Sequence, residues 1–297
     1  MTALKGIIPI LPTPFDETGE VDLASLRNVV NHLIDQGVNG LGTLALASEG
    51  YKLTEGERRQ VLTAVVEAAR GRVPVVASVY HEATRVAAAM SADAVALGAD
   101  AVMLLPPVIG KPGEKELVQH LASAVSAAGV PVVIQDTPQV RGAALSLGDY
   151  ARLLDAAPNV AYVKIEAVPA GRGITRLRRE FGDRIGVIAG WGGLEWLDAL
   201  NRGACGCMPG ADVGPRLGEV YAAHHAGEPA RAQSIFDSVR PLIEFSSHSL
   251  DRFVIVAKTA LARKGVISSA SVRSPYTPLD DLEAAEMDRL LRASAIA

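Results

Sequence analysis

The amino-acid sequence predicts an α/β fold, a closed (β/α)8 TIM barrel followed by a C-terminal helical layer. Eight short β-rich runs alternate with helical patterns up to about residue 226 of the 297. Such alternation is typical of a parallel sheet, and eight units are the number that closes a barrel. Because 49% of the residues are apolar and 4% are aromatic, we expect a core of aliphatic residues from buried parallel strands.

The predicted strands are short apolar runs, as expected for the buried strands of a parallel sheet that helices cover. They span residues 6–12, 40–45, 74–78, 101–105, 131–135, 160–165, 185–189 and 206–209. The alternative is an open doubly wound sheet. The sequence has no glycine-rich phosphate fingerprint after any of these runs, which favours the barrel.

Helical periodicity fills the intervals between the strands. In the first interval Leu26, Val29, Val30, Leu33 and Ile34 follow one helical face. Three capping boxes mark helix starts, and they are Thr54 with Glu57, Ser146 with Asp149, and Thr277-Pro278 with Asp280. Three further helices are predicted around 228–245, 250–264 and 279–294. We therefore expect a barrel over residues 1–226 and a helical layer, packed on it, over residues 227–297.

Charge and composition restrict the classes of partner. A net charge of −4 provides no clustered basic surface, so neither nucleic acid nor a membrane is an expected partner. No secretory signal and no apolar run of membrane-spanning length is visible, which predicts a cytoplasmic protein. Cys205 and Cys207 alternate along a strand, and we expect two core thiols rather than a disulfide or a metal site. The expected ligand is a small molecule.

One lysine stands inside an apolar strand, close to the end of the barrel where reactive groups are found. Such groups lie at the C-terminal ends of barrel strands, and Lys164 lies near the end of the run 160–165. Burial disfavours a charged amine, so more of it becomes the free nucleophile that condenses with a ketone. The alternative is a lysine that extends to solvent or pairs with Glu166.

Five segments carry a resemblance to a known superfamily over nearly the whole chain. They are Gly6-Ile7-Ile8-Pro9, Pro12-Thr13-Pro14-Phe15, Ala45-Leu46-Ala47-Ser48-Glu49, the stretch from Pro131 to Pro138, and Val163-Lys164. Together they resemble the dihydrodipicolinate synthase and N-acetylneuraminate lyase superfamily of class I aldolases and dehydratases. The resemblance implies that Lys164 forms a Schiff base with a pyruvate-type 2-keto acid. It also implies a homodimer or homotetramer.

The loop after the second strand departs from the superfamily pattern. There the family usually carries threonines that bind the carboxylate of the keto acid, whereas Leu46 and Ala47 have no hydroxyl. Main-chain N–H groups around Ala47, Ser48 and Glu49, together with the Ser48 hydroxyl, remain candidates for that carboxylate. The alternative for Ser48 is a turn residue that bonds its own backbone.

The segment after the fifth strand departs as well. The family usually has Tyr-Asn-x-Pro, in which the tyrosine moves protons, and this chain has Gln135-Asp136-Thr137-Pro138. A glutamine side chain does not exchange protons at ordinary pH, so Gln135 is expected to hydrogen-bond the substrate or simply to pack. Val108-Ile109 replaces the aromatic pair that often follows the fourth strand. Dihydrodipicolinate synthesis by the usual route is therefore not expected.

Other side chains at the same rim are candidates for proton transfer and substrate binding. The proton-transfer candidates are Tyr80, His81, Asp136 and Glu166. Two of them have plainer alternatives, because a rim histidine can be a solvated loop residue and an aspartate can cap a turn.

Three more residues are candidates for substrate binding. Arg141 would suit a second carboxylate, although Val140 occupies the matching family position and Arg141 could instead be a surface residue. The turn that begins Gly190-Trp191 would let the backbone approach a ligand, with Trp191 as a wall.

The sequence therefore supports two hypotheses from different classes. The first is a lyase that makes or breaks a carbon–carbon bond, or removes water, next to the carbonyl of a 2-keto acid. The second is a keto-acid-binding or regulatory barrel that has lost turnover. The buried amine favours the enzyme, because an inert pocket has little use for a lysine whose desolvation costs stability. No metal or organic cofactor is expected, because a Schiff base is itself an electron sink.

Overall fold

The strands form one parallel sheet in the computed structural model, which describes residues 3–126 and 128–296. Each strand from β2 to β7 pairs with the next, and β8 pairs with β1. The strands are β1 (Gly6–Ile7), β2 (Leu41–Thr43), β3 (Val75–Val79), β4 (Ala101–Leu104), β5 (Val132–Asp136), β6 (Val160–Ile165), β7 (Gly186–Ala189) and β8 (Gly206–Cys207). All eight fall within one residue of the predicted runs or inside them.

The sheet closes between its first two strands. The amide of Gly42 donates to the carbonyl oxygen of Pro9 (2.8 Å), and the amide of Leu11 donates to that of Gly42 (2.8 Å). Ile10 forms single bridges to Gly42 on one side and to Gly210 on the other. The predicted first strand, 6–12, is thus reduced to two regular residues. Proline has no N–H to donate, so Pro9 and Pro12 interrupt the ladder.

Twelve helices are present in the described ranges, and the three predicted after the barrel are confirmed within two residues at either end. The helices are α1 (Leu23–Asp35), α2 (Glu55–Ala69), α3 (Thr84–Ala96), α4 (Glu114–Val125), α5 (Pro138–Arg141), α6 (Leu147–Ala156), α7 (Gly171–Phe181), α8 (Trp196–Asn201), α9 (Gly214–His225), α10 (Pro229–Ser246), α11 (Leu250–Arg263) and α12 (Asp281–Ala293). Of these, none is long and apolar enough to cross a membrane. Helix α10 packs on α9 and α12, which joins the C-terminal helices to the barrel.

Two of the three predicted capping boxes are confirmed, and one is wrong. Thr54 with Glu57 and Ser146 with Asp149 cap α2 and α6. Helix α12 is capped three residues later than predicted, by Asp280 with Glu283. The amide of Thr277 instead donates to Asp251 (2.8 Å), so this residue belongs to the segment that lies on α11.

The apolar core has two layers, which follow from the alternation of side chains along each strand. Outward residues such as Val102 and Leu104 pack against the helices. Inward residues fill the barrel itself, among them Ile8, Met103 and Ile188. The barrel interior is therefore solid below the C-terminal ends of the strands, and a ligand can bind only above this packed layer.

Candidate active site

The register of β5 and β6 places two polar side chains next to each other inside the barrel. Gln135 is the partner of Lys164 in this pairing, and both are almost fully buried, at 3% and 4% exposure. Because side chains alternate, Lys164 and Glu166 both point inward while Ile165 between them points to the helices. The sequence pattern Lys-x-Glu thus places a carboxylate beside the buried amine.

Glu166 connects the amine and the amide. Its Oε1 atom lies 2.9 Å from Nζ of Lys164, and its Oε2 atom accepts a hydrogen bond from Nε2 of Gln135 (2.8 Å). Burial alone would raise the pKa of Glu166, but the Lys164 charge and the Gln135 hydrogen bond outweigh it and hold this pKa below its ordinary value. Lys164 therefore pairs with Glu166, which was one of the alternatives from the sequence. It also faces the interior of the barrel.

The turn after β7 supports Glu166 from the other side. Trp191 has a positive φ of 48°, and its amide donates to Oε1 of Glu166 (3.4 Å). At Gly190 a Cβ atom would lie 2.4 Å from Cγ of Glu166, so a side chain at this position would displace the carboxylate. The glycine-rich turn thus approaches a side chain of the protein, where the sequence had suggested a ligand.

Lys164, Gln135, Glu166 and Trp191 line one cavity of about 280 Å³. Apolar side chains form most of its remaining wall. Those from the barrel include Ile10, Ala45, Leu46, Ala47, Val140 and Met208, and those from the α10–α11 region are Leu250 and Phe253. A cavity of this size and lining suits a small organic molecule with few polar groups in fixed positions.

Three oxygen atoms of this cavity have no hydrogen-bond partner in the described part of the chain. They are Oε1 of Gln135, Oγ1 of Thr137 and Oγ of Ser247. An unpaired buried oxygen is costly, so native proteins rarely keep one without a role. The cavity brings together five of the predicted site residues, with Gly190 beneath Glu166. The five are Lys164, Gln135, Glu166, Ala47 and Trp191.

Tyr80 and His81 are not brought to this cavity, contrary to the expectation that they exchange protons there. They line a separate cavity of about 230 Å³. The hydroxyl of Tyr80 donates to Oε1 of Glu82 (2.7 Å), and burial together with this bond raises the pKa of Tyr80 to about 12. Nδ1 of His81 accepts the amide of Ala83 (2.9 Å). Both side chains stabilise the loop after β3.

Asp136 and Arg141 also lie outside the Lys164 cavity. Asp136 is the residue after Gln135, so it points away from the barrel, where it accepts hydrogen bonds from Tyr150 Oη (2.9 Å) and the Leu145 amide (3.2 Å). Burial raises its pKa. Arg141 ends α5, and it is Val140 that lines the cavity. Each of these two predicted site residues is therefore the chain neighbour of the residue that lines the cavity, which is Gln135 for Asp136 and Val140 for Arg141.

Ser48 and Glu49 support the β2–α2 loop from behind. Ser48 is fully buried, and its carbonyl oxygen accepts a hydrogen bond from Thr13 (2.7 Å). Glu49 binds Lys258 and Lys52, at 2.5 Å and 3.1 Å, and its side chain has no exposed surface. These contacts leave Ala47 as the residue of the three that faces the cavity. Substrate binding by the Ser48 and Glu49 side chains is therefore not supported by their position.

Sequence reasoning missed five polar residues of the cavity lining, and two of them, Thr137 and Ser247, carry unpaired oxygen atoms. Thr137 lies two residues after Gln135 and so continues the same inward-facing pattern, a signal that was available. Ser247 lies in the α10–α11 turn, where local sequence carries no sign that the helical layer reaches the barrel mouth. Long-range packing alone brings it to this cavity.

Comparisons with known proteins agree with this architecture. A model of the dihydrodipicolinate synthetase family matches residues 3–294. The L-2-keto-3-deoxyarabonate dehydratase of Azospirillum brasilense is 34% identical over 97% of this chain and 94% of its own length. The 4-hydroxy-tetrahydrodipicolinate synthase of Ruegeria pomeroyi is 31% identical over 98% of this chain and 99% of its own.

Solved structures give the same result for the fold. Dihydrodipicolinate synthase from Rhodopseudomonas palustris superposes with a TM-score of 0.91 at 26% identity, covering 98% of this chain and 97% of that one. The chloride-inhibited synthase from Acinetobacter baumannii, complexed with pyruvate, has a TM-score of 0.92 at 26% identity and covers 99% and 100%. The predicted barrel with its C-terminal helices is confirmed.

Proposed function

Because this chain belongs to the dihydrodipicolinate synthetase family, and is therefore a lyase of the class I aldolase and dehydratase type, we propose that it acts on a 2-keto acid through a Schiff base on Lys164. The observation that carries this proposal is the group formed by Lys164, Glu166 and Gln135 in one cavity. A non-catalytic barrel is not favoured, since the named relatives are enzymes.

Glu166 takes the role that the sequence left open, that of the proton-exchanging group. It contacts the amine directly, at 2.9 Å, and can accept the ammonium proton so that the free amine attacks the C2 carbonyl. The same proton then goes to the carbinolamine hydroxyl, which leaves as water and gives the iminium. Gln135 holds the carboxylate through Nε2 and presents Oε1 to a substrate hydroxyl.

The iminium next makes C3 acidic, and C3 lies two bonds from the nitrogen that Glu166 contacts. Glu166 removes a proton from C3, and the C3–H electron pair forms the enamine. In dehydration this enamine expels the hydroxyl of C4, which takes the proton back from Glu166 and leaves as water. Hydrolysis of the resulting iminium restores Lys164 and releases the unsaturated keto acid. One carboxylate therefore suffices for every proton transfer in the sequence.

We propose dehydration rather than synthesis of dihydrodipicolinate. The dehydratase of Azospirillum brasilense supports this choice, as do Gln135, Leu46 and Ala47, which stand where the synthase pattern has its tyrosine and threonines. The keto acid carboxylate is assigned to the main-chain N–H groups of Leu46 and Ala47, because the Ser48 N–H already donates to the carbonyl oxygen of Ala45 (3.0 Å) and neither Leu46 nor Ala47 has a side-chain donor. No metal is required, because the iminium supplies the electron sink.

Borohydride trapping tests the proposal. Pyruvate and longer 2-keto acids, each with borohydride, are expected to leave a stable adduct on Lys164 that Lys164→Ala and Lys164→Arg abolish. A 4-hydroxy-2-keto acid should then lose one water without release of pyruvate, as followed by mass spectrometry and a pyruvate assay. Pyruvate release would show aldol cleavage instead, and full turnover by Lys164→Ala would overturn the Schiff base. The homo-oligomer implied by the family is tested by light scattering.

A further inference from the structure

Two residues that line the Lys164 cavity carry buried, unpaired hydroxyl groups that the proposed reaction does not use. Oγ1 of Thr137 and Oγ of Ser247 are buried, and neither has a hydrogen-bond partner within residues 3–126 and 128–296. Thr137 as a whole is 2% exposed. A buried hydroxyl without a protein partner forms its hydrogen bonds with whatever occupies the space beside it. Both groups are therefore placed to be satisfied by a bound molecule.

Both hydroxyls are held by rigid parts of the fold. Thr137 directly follows β5 and shares the inward face with Gln135. Ser247 directly follows α10 as its C-cap, and its amide donates to the carbonyl oxygen of Ile243 (2.9 Å). At Gly192 a Cβ atom would lie 3.3 Å from Oγ of Ser247 and 3.1 Å from the Phe253 ring, so the glycine gives the turn room beside this hydroxyl. Rigid placement of polar groups favours selectivity over general affinity.

The charge of the cavity limits what these hydroxyls bind. Among its described lining residues Lys164 is the one lysine, and no arginine is present. Arg141, which could bind a second carboxylate, lies outside the lining. His248 lies at an exposed part of the wall, with Nδ1 bonded to the carbonyl oxygen of Glu244 (2.8 Å). The substrate end that faces away from Lys164 therefore meets hydroxyls and apolar atoms, with no fixed cation from a lysine or arginine.

We infer that Thr137 and Ser247 are specificity-determining residues that select 2-keto acids with an uncharged, hydroxyl-bearing tail. A hydroxyl both donates and accepts, so its best partner is a group that does the same, such as a sugar-acid hydroxyl. A site built to bond a hydroxyl rejects an analogue that lacks it, because the protein group is then left unpaired. This inference rests on the proposed Schiff base, since Lys164 fixes the position of the keto group.

Two five-carbon acids that differ only in their hydroxyls test it. They are 4,5-dihydroxy-2-oxopentanoate and 2-oxopentanoate, and the readout is the concentration that half-saturates borohydride trapping on Lys164, measured by intact mass. The unaltered protein should favour the dihydroxy acid by about tenfold or more. Thr137→Val and Ser247→Ala should each raise its half-saturating concentration about fivefold. The value for 2-oxopentanoate should stay within about twofold.

Matched variants separate a lost hydroxyl from a disturbed fold. Thr137→Ser keeps the hydroxyl and should retain the original preference. Ser238→Ala removes a hydroxyl from α10, the helix that Ser247 follows. This hydroxyl donates to the carbonyl oxygen of Ile235 (2.7 Å) away from the cavity, so the variant should change neither value. Trapping of both acids with no loss of preference in Thr137→Val and Ser247→Ala would overturn this inference and leave the proposed function intact. Failure to trap either acid would instead overturn the proposed function, and this inference with it.

Discussion

Two buried lysine–glutamate pairs in this molecule differ in what surrounds them. Lys164 and Glu166 lie two residues apart on β6 and face the cavity. Lys258 of α11 has no exposed surface and binds Glu49, which is 209 residues away in the sequence. Lys258 also donates to the carbonyl oxygen of Ser271 (2.8 Å) and lies 4.3 Å from the centre of the Phe15 ring.

The difference shows that burial alone does not identify a reactive lysine. Burial lowers the pKa of Lys258 to about 8, against the opposing effect of Glu49, yet its neighbours already use its hydrogen bonds. Glu49 is equally occupied, by Lys52 and by the amide of Arg273 (3.0 Å). The Lys164 pair adjoins an unpaired oxygen of Gln135 and a space for a ligand. Unfilled hydrogen-bonding capacity next to a cavity is the better sign of chemistry.

The strongest test of the comparison is the loss of each amine in turn. Lys164→Ala should lower turnover by about a thousandfold or more, because it removes the nucleophile on which every step depends. Steady-state kinetics with a 4-hydroxy-2-keto acid would measure this. If Lys164→Ala kept activity near the original level, Lys164 would not be the reactive lysine, and the two lysine–glutamate pairs would no longer differ in function.

Lys258→Met should act on stability and leave the chemistry in place. The expected loss of unfolding free energy is about 3 kcal/mol, the low end for breaking a buried pair, because Lys52 and the Arg273 amide still bind Glu49. Urea denaturation measures the loss, and the double variant with Glu49→Gln should recover part of it. Adduct formation on Lys164 should remain complete, and its disappearance in folded protein would give Lys258 a role in catalysis.

Glu166→Gln should lower turnover by about a hundredfold, because an amide cannot exchange protons. Since the Lys164 charge and the Gln135 hydrogen bond outweigh burial and hold the pKa of Glu166 below its ordinary value, the unaltered enzyme should keep the charged base to a lower pH than an ordinary glutamate would. The variant should lose that acidic inflection in kcat/KM. An unchanged profile would assign the proton transfers to another group.

Glu57→Gln tests the ion pair between Glu57 and Arg273, which holds the C-terminal segment near the Lys258 pair. The Arg273 guanidinium and the Thr54 amide overcome burial and lower the pKa of Glu57 to about 2, so its ionic contribution is full above about 4.5 and is lost as the pH falls towards 2. We expect a loss of about 1 kcal/mol at neutral pH that disappears in acid. Glu55→Gln, on the same first turn of α2, is the matched control for urea denaturation.

His81→Ala should have the smallest effect. Its Nδ1 atom accepts an amide within its own turn, and its cavity is separate from that of Lys164, so turnover should change by less than about twofold. The inflections of the pH profile should stay where they are. A shifted inflection would restore the proton donor that the sequence suggested.

Sequence alone predicted the barrel because apolar runs and helical periodicity are local signals. The positions of all eight strands and of the three final helices followed from them. The length of β1 could not be predicted, because Pro9 and Pro12 interrupt a hydrogen-bond ladder whose partner strands lie far along the chain. The start of α12 was misplaced because Thr277 and Asp280 both suit a cap and tertiary contacts decide between them.

In the candidate site too, the residues set by local patterns could be predicted and those set by long-range packing could not. Lys164 and Gln135 could be placed because strand register and alternation are regular. Asp136 was assigned without counting that alternation, which turns it to the other side from Gln135, and Arg141 follows Val140 on the short helix α5, where Val140 is the residue that lines the cavity. Lys258 and Ser247 reach the barrel through packing of the helical layer. That packing leaves no local pattern in the sequence, so neither residue could be identified from it.

Because the α10–α11 turn contributes to the cavity wall, residues that contact a substrate tail and residues that contact the keto group lie on different segments of the chain. Ser247 and Phe253 lie on a segment that contains none of Lys164, Glu166 and Gln135. Under the proposed function, mutations in the turn are expected to change the preferred substrate tail while the amine and its carboxylate keep their geometry. Exchanging residues 246–253 between barrels of this family would be a compact way to design new lyases.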